Sequence, residues 1–310
     1  MSSTLKPSAL HGFAKSSAYD QHRPSYPAKS VQELLKQCRV AGVHGAKVLD
    51  LAAGTGKFTE LLAAREEGYE IVAVEPHGGM REVLEGKELK GVKVEDGDAE
   101  TLPFEDESVD AIIAAQQQLS ISLPSGQAFH WFATPSTLKS LHRVLRPHGA
   151  LGLIWNIEHY NEARSHVAAT PWEAKLHDLI WSFEDNEPRF RHEKWRTVFD
   201  EQIKTTPLSL LVAADPLFAL PLGEEREEWA VWLQKEKVWE RFATLSQIAG
   251  LEGEELEKTR KVFDDAVNAP DVEVNEKGEV AVHGTTYVVW TTKVPADGRP
   301  DLTGVERPGA

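Results

Sequence analysis

The densest chemistry in the chain lies in the run Asp50-Leu-Ala-Ala-Gly54-Thr-Gly56. Two glycines let a backbone approach a ligand closely and present N–H groups at the start of a following helix. A loop for a hydride cofactor would read G-x-G-x-x-G, with the third glycine serving helix–strand packing. Here position 59 is threonine, and an acid stands four residues before the first glycine. A carboxylate in that place repels a pyrophosphate and suits a cation.

Two further acids follow. Glu75 closes EIVAV, where a carboxylate can accept from both hydroxyls of a ribose. Asp98, in GDAETLPF, can accept from an adenine amino group, with the Ala99 N–H beside it. A single acid at a strand end is usually just solvated. Three of them, one after each successive strand, describe a cationic nucleoside that carries no phosphate. S-adenosylmethionine, with its ammonium and sulfonium, is such a ligand.

The elements that must position these acids alternate. Lys47–Ala53, Glu70–Glu75, Val92–Glu95, Val109–Ala115 and Ala150–Asn156 read as buried strands. Lys57–Glu67, His77–Gly86 and Pro135–Arg146 read as helices, the last stopped by Pro147 and Gly149. Strands spaced by helices imply right-handed crossovers and a mainly parallel sheet. The second half has another character. Residues 170 to 200 read as one or two helices broken at Pro188, and 204 to 222 as loop and strand. Trp229, Trp232, Trp239 and Phe242 fall at near-helical spacing. Leu251–Val267 is an amphipathic helix, and Glu273–Val294 a hairpin of GEVAVHG and TTYVVWTT. Eight of the nine tryptophans follow residue 150, which fits either helices packed over a sheet or an aromatic wall above a pocket. The tail from Pro295 is expected to fray.

With these motifs in place, the chain resembles the class I S-adenosylmethionine-dependent methyltransferases. The likeness rests on DLAAGTG (50–56), VEP (74–76), GDAETLPF (97–104), VDAIIAA (109–115) and LHRVLRPHGALGLIWN (141–156). A narrower likeness, in YDQHRPSYP (19–27), QAFHWF (127–132) and PRFRHEKWR (188–196), is to fungal small-molecule methyltransferases of the trans-aconitate methyltransferase type. The resemblance implies an α/β fold with a doubly wound, mainly parallel seven-stranded sheet and helical additions in the C-terminal half. Residues 273–294 would supply the last strands, including an antiparallel one. It divides the chain into a lid and first helix (1–44), a cofactor-binding core (45–160), a substrate-covering region with the last strands (161–294) and a tail (295–310). It implies cofactor contacts from Asp50, Ala52, Gly54, Gly56, Glu75, Asp98, Ala99 and Gln116.

The resemblance also places the methyl acceptor, a small molecule accepting through a carboxylate or hydroxyl oxygen. His130 is the base candidate, since the segment after the fourth strand commonly borders the methyl group in this fold. A pocket-lining or structural histidine is the other reading. Gln127 and Trp131 would border the same place, Trp131 over the sulfonium or in the core. Tyr19, Arg23 and Tyr26 would form a lid, with an ordinary surface turn at Pro24 and Pro27 as the alternative. EPRFRHEKWR (187–196) is locally +2. A solvated helix face is the commoner meaning of such a run, and attraction of an acidic acceptor the other. No metal cluster is legible, since His142 and His148 lack a carboxylate partner and the other histidines are scattered. One departure from the resembled group stands out. Gln116–Gly126 (QQQLSISLPSG) intervenes where strand and QAFHW should almost meet. It reads as the product of an alternative splice site or as a surface loop.

Composition narrows the function further. The 310 residues carry 34 basic and 49 acidic side chains, a net −15 with neutral histidine. So acidic a chain is repelled by nucleic acid and by anionic membranes. One cysteine, Cys38, makes neither an internal disulfide nor a multi-cysteine zinc site. The first residues show no apolar leader, so the cytosol is the expected compartment. Two rival classes stay open: a nicotinamide-dependent oxidoreductase, and a non-catalytic methyltransferase-like protein. Oligomeric state is not legible.

Overall fold

The computed structural model describes residues 25–116, 133–183, 189–203 and 216–295. Its body is a seven-stranded sheet. In chain order the elements are α1 (Ala28–Gln37), β1 (Lys47–Leu51), α2 (Lys57–Ala63), β2 (Glu70–Val74), α3 (Gly78–Glu85), β3 (Val92–Glu95) and β4 (Val109–Gln116). Then come α4 (Pro135–Val144), β5 (Leu145–Glu158), α5 (Pro171–Ser182), α6 (Thr197–Asp200), β6 (Gly223–Leu233), α7 (Lys235–Phe242), α8 (Ser246–Ala249), α9 (Gly253–Val267) and β7 (Val280–Thr292).

The strand order is β3-β2-β1-β4-β5-β7-β6. The first five strands are mutually parallel, and β7 runs antiparallel to both β5 and β6. Chain order reverses direction at β1, whose neighbours are β2 and β4. Open α/β sheets bind ligands at such a switch point, outside the carboxyl ends of the strands.

Both faces of the sheet are covered. One is packed by Leu34, Leu35, Phe58 and Leu62 of α1 and α2 against Ile71, Ile113 and Ile154. The other is packed by Leu138 and Leu141 of α4, with Phe190, Trp195 and Phe199, against Ile112, Leu153 and Trp155. A third apolar cluster joins α5, α7 and α9 to Val280 and Val282 at the start of β7. The tryptophans largely serve this packing: Trp155 lies 4.9 Å from Trp195, and Trp239 lies 5.1 Å from Phe263. At Gly152 an added Cβ would stand 2.6 Å from Cys38 Sγ. The close seating of α1 on β5 therefore needs glycine there. Burial pushes the Cys38 thiol up to about 12, which keeps it an inert core group.

Three expectations are corrected. Trp229 and Trp232 lie on strand β6, and the helix begins only at Lys235. The period-two pattern is disguised because two half-buried positions of the strand are acids: Glu225 pairs with Lys29 at 3.9 Å, and Glu227 accepts from the Ser30 hydroxyl of α1. GEVAVHG and TTYVVWTT do not form a hairpin with each other. β7 is one strand of 13 residues whose partners are β5 and β6, so long-range pairing replaces the local turn. Finally, β5 starts at Leu145, directly after α4, and passes Pro147 and Gly149 through an irregular register with His148 at φ 63°.

Candidate functional site

β1 ends at Leu51, opposite Val74, and the chain then turns sharply. Ala52, Gly54 and Gly56 all hold positive φ, at 58°, 59° and 87°. Such a turn costs an ordinary residue free energy, so glycine is favoured at two of the three places. The two glycines differ in what surrounds them. A Cβ added at Gly56 would lie 2.2 Å from Leu84 Cδ1, so this glycine lets α3 pack close. A Cβ added at Gly54 would meet nothing within 4 Å, so this glycine borders open space.

Glu75, just past β2, is 1% exposed and tied to the loop. One carboxylate oxygen accepts from Gly54 N–H at 2.9 Å, the other from His77 N–H at 2.9 Å. Each oxygen keeps acceptor capacity for a further donor. Asp50 is fully buried. Its Oδ2 accepts from the Thr59 hydroxyl at 2.6 Å, while Oδ1 is buried with no hydrogen-bond partner among the described residues. The threonine that stands where a third glycine was absent thus supports the acid. Burial pushes both carboxyls up to about 7, opposed at Asp50 by the Thr59 bond and at Glu75 by the two backbone bonds. Charge repulsion between the two acids raises Asp50 further.

Asp98 is arranged differently. Its carboxylate is exposed and accepts from the backbone N–H of Glu100 and Thr101 and from the Thr101 hydroxyl, at 2.7–2.9 Å. It therefore shapes the turn after β3, with Ala99 buried beneath. Glu100 of that turn accepts from Thr134, the residue that caps α4. Gln116 ends β4 opposite Trp155. Tyr26 is buried edge-on against Phe58 of α2, at 5.4 Å between ring centroids, and so is no surface turn. Tyr19, Arg23, Gln127, His130 and Trp131 lie outside the described residues, as does most of the 116–126 segment.

The donor set fits a phosphate-free cation better than a dinucleotide. Two buried acids flank an open glycine, and one carboxylate oxygen has no partner among the described residues. A pyrophosphate would meet negative charge there. An ammonium supplies what Asp50 Oδ1 lacks, and a diol can add to Glu75. This sets a pH dependence. A cation favours the ionised carboxyls, so its binding releases protons held near neutrality. Affinity for S-adenosylhomocysteine is expected to rise between about pH 6 and about pH 8 and then to level, by at most about tenfold per unit for each proton released. Titration calorimetry across that range checks it, and a flat profile counts against the assignment.

The basic stretch 187–196 is corrected. Residues 187 and 188 lie outside the described residues. The rest is no solvated helix face: residues 190–196 form two short 3-10 turns, Arg189 just before them and Arg191 within the first are buried, and Arg191 lies 5.3 Å from the centre of the Trp181 ring. Arg196 pairs with Glu224. The scattered histidines are corrected too. His159, just past β5, lies 4.4 Å from His166 and 5.9 Å from His283 between ring centroids. Glu162, three residues past His159, is buried and accepts from Tyr287 Oη at 2.9 Å, and burial pushes it up to about 7. The chain offers little local sign of these groups, which meet only through β5–β7 pairing. Among the described residues, no group of three or more His, Cys, Asp or Glu is placed to hold a metal ion. Nor is any helix long and apolar enough to cross a membrane.

Burial, then the charges of His166 and His283, push His159 down to about 4. Its folded value lies below its unfolded one, near 6.5. The stabilisation is therefore complete above about pH 6.5 and is lost as pH falls toward about pH 4. The buried carboxyls raised to about 7 act in the opposite sense over this window, so the His159 contribution is read as a difference. Urea unfolding should show wild type losing stability relative to His159→Phe as pH falls from about 6.5 to about 4.

Comparison with known proteins agrees with the geometry. The sequence profile described as a methyltransferase domain matches residues 49–153. A methyltransferase-like protein of Schizosaccharomyces pombe, uncharacterized, is 33% identical over 181 residues, 58% of this chain and 62% of its own. An uncharacterized methyltransferase of Mycobacterium tuberculosis is 40% identical over 139 residues, 45% of this chain and 49% of its own. The malonyl-[acyl-carrier protein] O-methyltransferase of Methylococcus capsulatus is 38% identical over 125 residues, 39% of this chain and 41% of its own. The chain thus spans less than two thirds of each of these relatives.

Proposed function

We propose that this chain, whose residues 49–153 match the methyltransferase-domain profile, is a class I methyltransferase that transfers a methyl group from S-adenosylmethionine to an oxygen of a small molecule. The observation that carries the cofactor is the pair of buried acids at one sheet edge: Asp50 with an unmet oxygen, and Glu75 clasping the loop beside open space at Gly54. When bound, the cofactor supplies a methyl carbon already activated by its sulfonium leaving group. The chain's own part is alignment and exclusion of water. Asp50 would hold the ammonium, Glu75 the ribose, and the turn at Asp98 and Ala99 the adenine. The O-methyltransferase among the relatives supports an oxygen acceptor.

Calorimetry with S-adenosylhomocysteine and with NADPH tests the reading. Binding of the first and none of the second is expected. Tight NADPH binding with none of the homocysteine overturns it. The acceptor is sought by comparing metabolites of strains with and without the gene for a difference of one CH₂.

A further inference from the structure

A second polar site lies on the same edge of the sheet as the glycine loop. β5 runs parallel to β1 and β4, so its last residue, Glu158, is on that edge, and Glu158 pairs with Gly284 of β7. His159 and His283 therefore stand side by side above the carboxyl ends of the strands. His159 is 6% exposed. Its Nδ1 accepts from Ala169 N–H at 3.2 Å, which puts the proton of the neutral ring on Nε2. That Nε2–H is buried and has no hydrogen-bond partner among the described residues.

His283 is oriented from behind. Glu173, fully buried on α5, accepts from its backbone N–H at 2.7 Å and from its Nδ1 at 3.0 Å. The neutral His283 ring therefore presents Nε2 as an acceptor, and its side chain is 27% exposed. The rings of His159 and His283 are 26° from parallel. His166 packs edge-on against His159, also with a buried Nε2 that has no hydrogen-bond partner among the described residues. Trp229 lies against Gly284, where an added Cβ would be 2.2 Å from its ring.

Of the two facing rings, His159 offers an unmet donor and His283 an acceptor, with the Trp229 Nε1–H a further buried donor unpartnered among the described residues. The pair of rings calls for a ligand group that both accepts and donates. A hydroxyl does both, whereas a carboxylate only accepts. We propose that His159 and His283, the latter held by Glu173, form a binding site for an aromatic hydroxyl, a phenol. As the place where a methyl acceptor is held, the site rests on the methyl-transfer reading. As a phenol site it stands on the geometry alone.

The test uses the full chain with 15N-labelled histidine. Imidazole nitrogen resonances are followed during titration with phenol, with sodium acetate and with toluene, and S-adenosylhomocysteine affinity is measured in parallel. Phenol is expected to shift the His159 and His283 signals saturably, while acetate and toluene leave them in place. His283→Phe should weaken phenol binding by about tenfold, the scale of one hydrogen bond, with homocysteine affinity unchanged. Glu173→Gln should weaken it as well; if that variant fails to fold, His283→Phe decides. No saturable shift, equal shifts by acetate or toluene, or full phenol affinity in His283→Phe overturns the proposal and leaves water as the partner of these nitrogens. Phenol binding without homocysteine binding refutes methyl transfer but not this site. The reverse result refutes this site alone.

Discussion

Gly54→Val is expected to abolish binding of S-adenosylhomocysteine while the sheet stays folded. Two effects must be separated. The first is conformational: Gly54 holds φ 59°, and a β-branched residue pays about 1–2 kcal/mol or more for that backbone. The second is steric. An added Cβ meets no protein atom within 4 Å, so valine fills space the protein leaves open beside the Glu75 carboxylate. Gly42 is the control. It too has positive φ, 76°, with nothing within 4 Å of an added Cβ, but it precedes β1, at the opposite edge of the sheet. Gly42→Val should show a comparable loss of melting temperature and normal homocysteine affinity. Calorimetry on both variants checks the expectation. If Gly54→Val binds as wild type does, the open space is not the ligand's.

Asp50→Asn is expected to weaken cofactor affinity and yet stabilise the protein at alkaline pH. The buried carboxyl is pushed up to about 7, against an ordinary 3.8, chiefly by burial. A raised acid stabilises the fold while protonated, and that stabilisation is lost as pH rises through about 7. At about pH 8 the folded protein therefore carries a buried charge with one oxygen unpaired among the described residues. Asparagine keeps an oxygen for the Thr59 hydroxyl and removes the charge. The melting temperature at about pH 8 should rise by about 2–4 °C for each kcal/mol recovered. The same charge is what an ammonium needs, so homocysteine affinity should fall by about tenfold or more, a lost charge-assisted hydrogen bond being worth about 1.5–3 kcal/mol. Calorimetry and thermal unfolding read the two effects separately. Lower affinity together with lower stability would mean that Asp50 merely holds the fold.

Much of the cofactor half was legible because its signals are local. The acids at 50, 75 and 98 and the glycines at 54 and 56 lie at or just past strand ends, and the threonine at 59 lies in the first turn of the helix that follows. A buried parallel strand is a short apolar run whatever its neighbours are. The five strands of the first half therefore appear where the periodicity places them, with ends shifted by a few residues. β6 was not legible, since Glu225 and Glu227 face α1 where apolar residues are normally found. Nor was the basic stretch, where Arg189 and Arg191 are buried against the tertiary rule that charges stay wet.

The sequence by itself determined the alternation of strands and helices and the acids that close the successive strands. These depend on residue types within a few positions of one another. Only the tertiary structure decided that Thr59 supports Asp50, that Glu75 clasps the loop, and that Asp98 is spent on its own turn. It alone brought His159, His166, His283 and Glu173 together from positions up to 124 residues apart, since 283 minus 159 is 124. Such meetings follow from β7 inserting antiparallel between β5 and β6. That pairing is chosen by the burial of whole strand faces, and no local pattern encodes which side chains it will make neighbours.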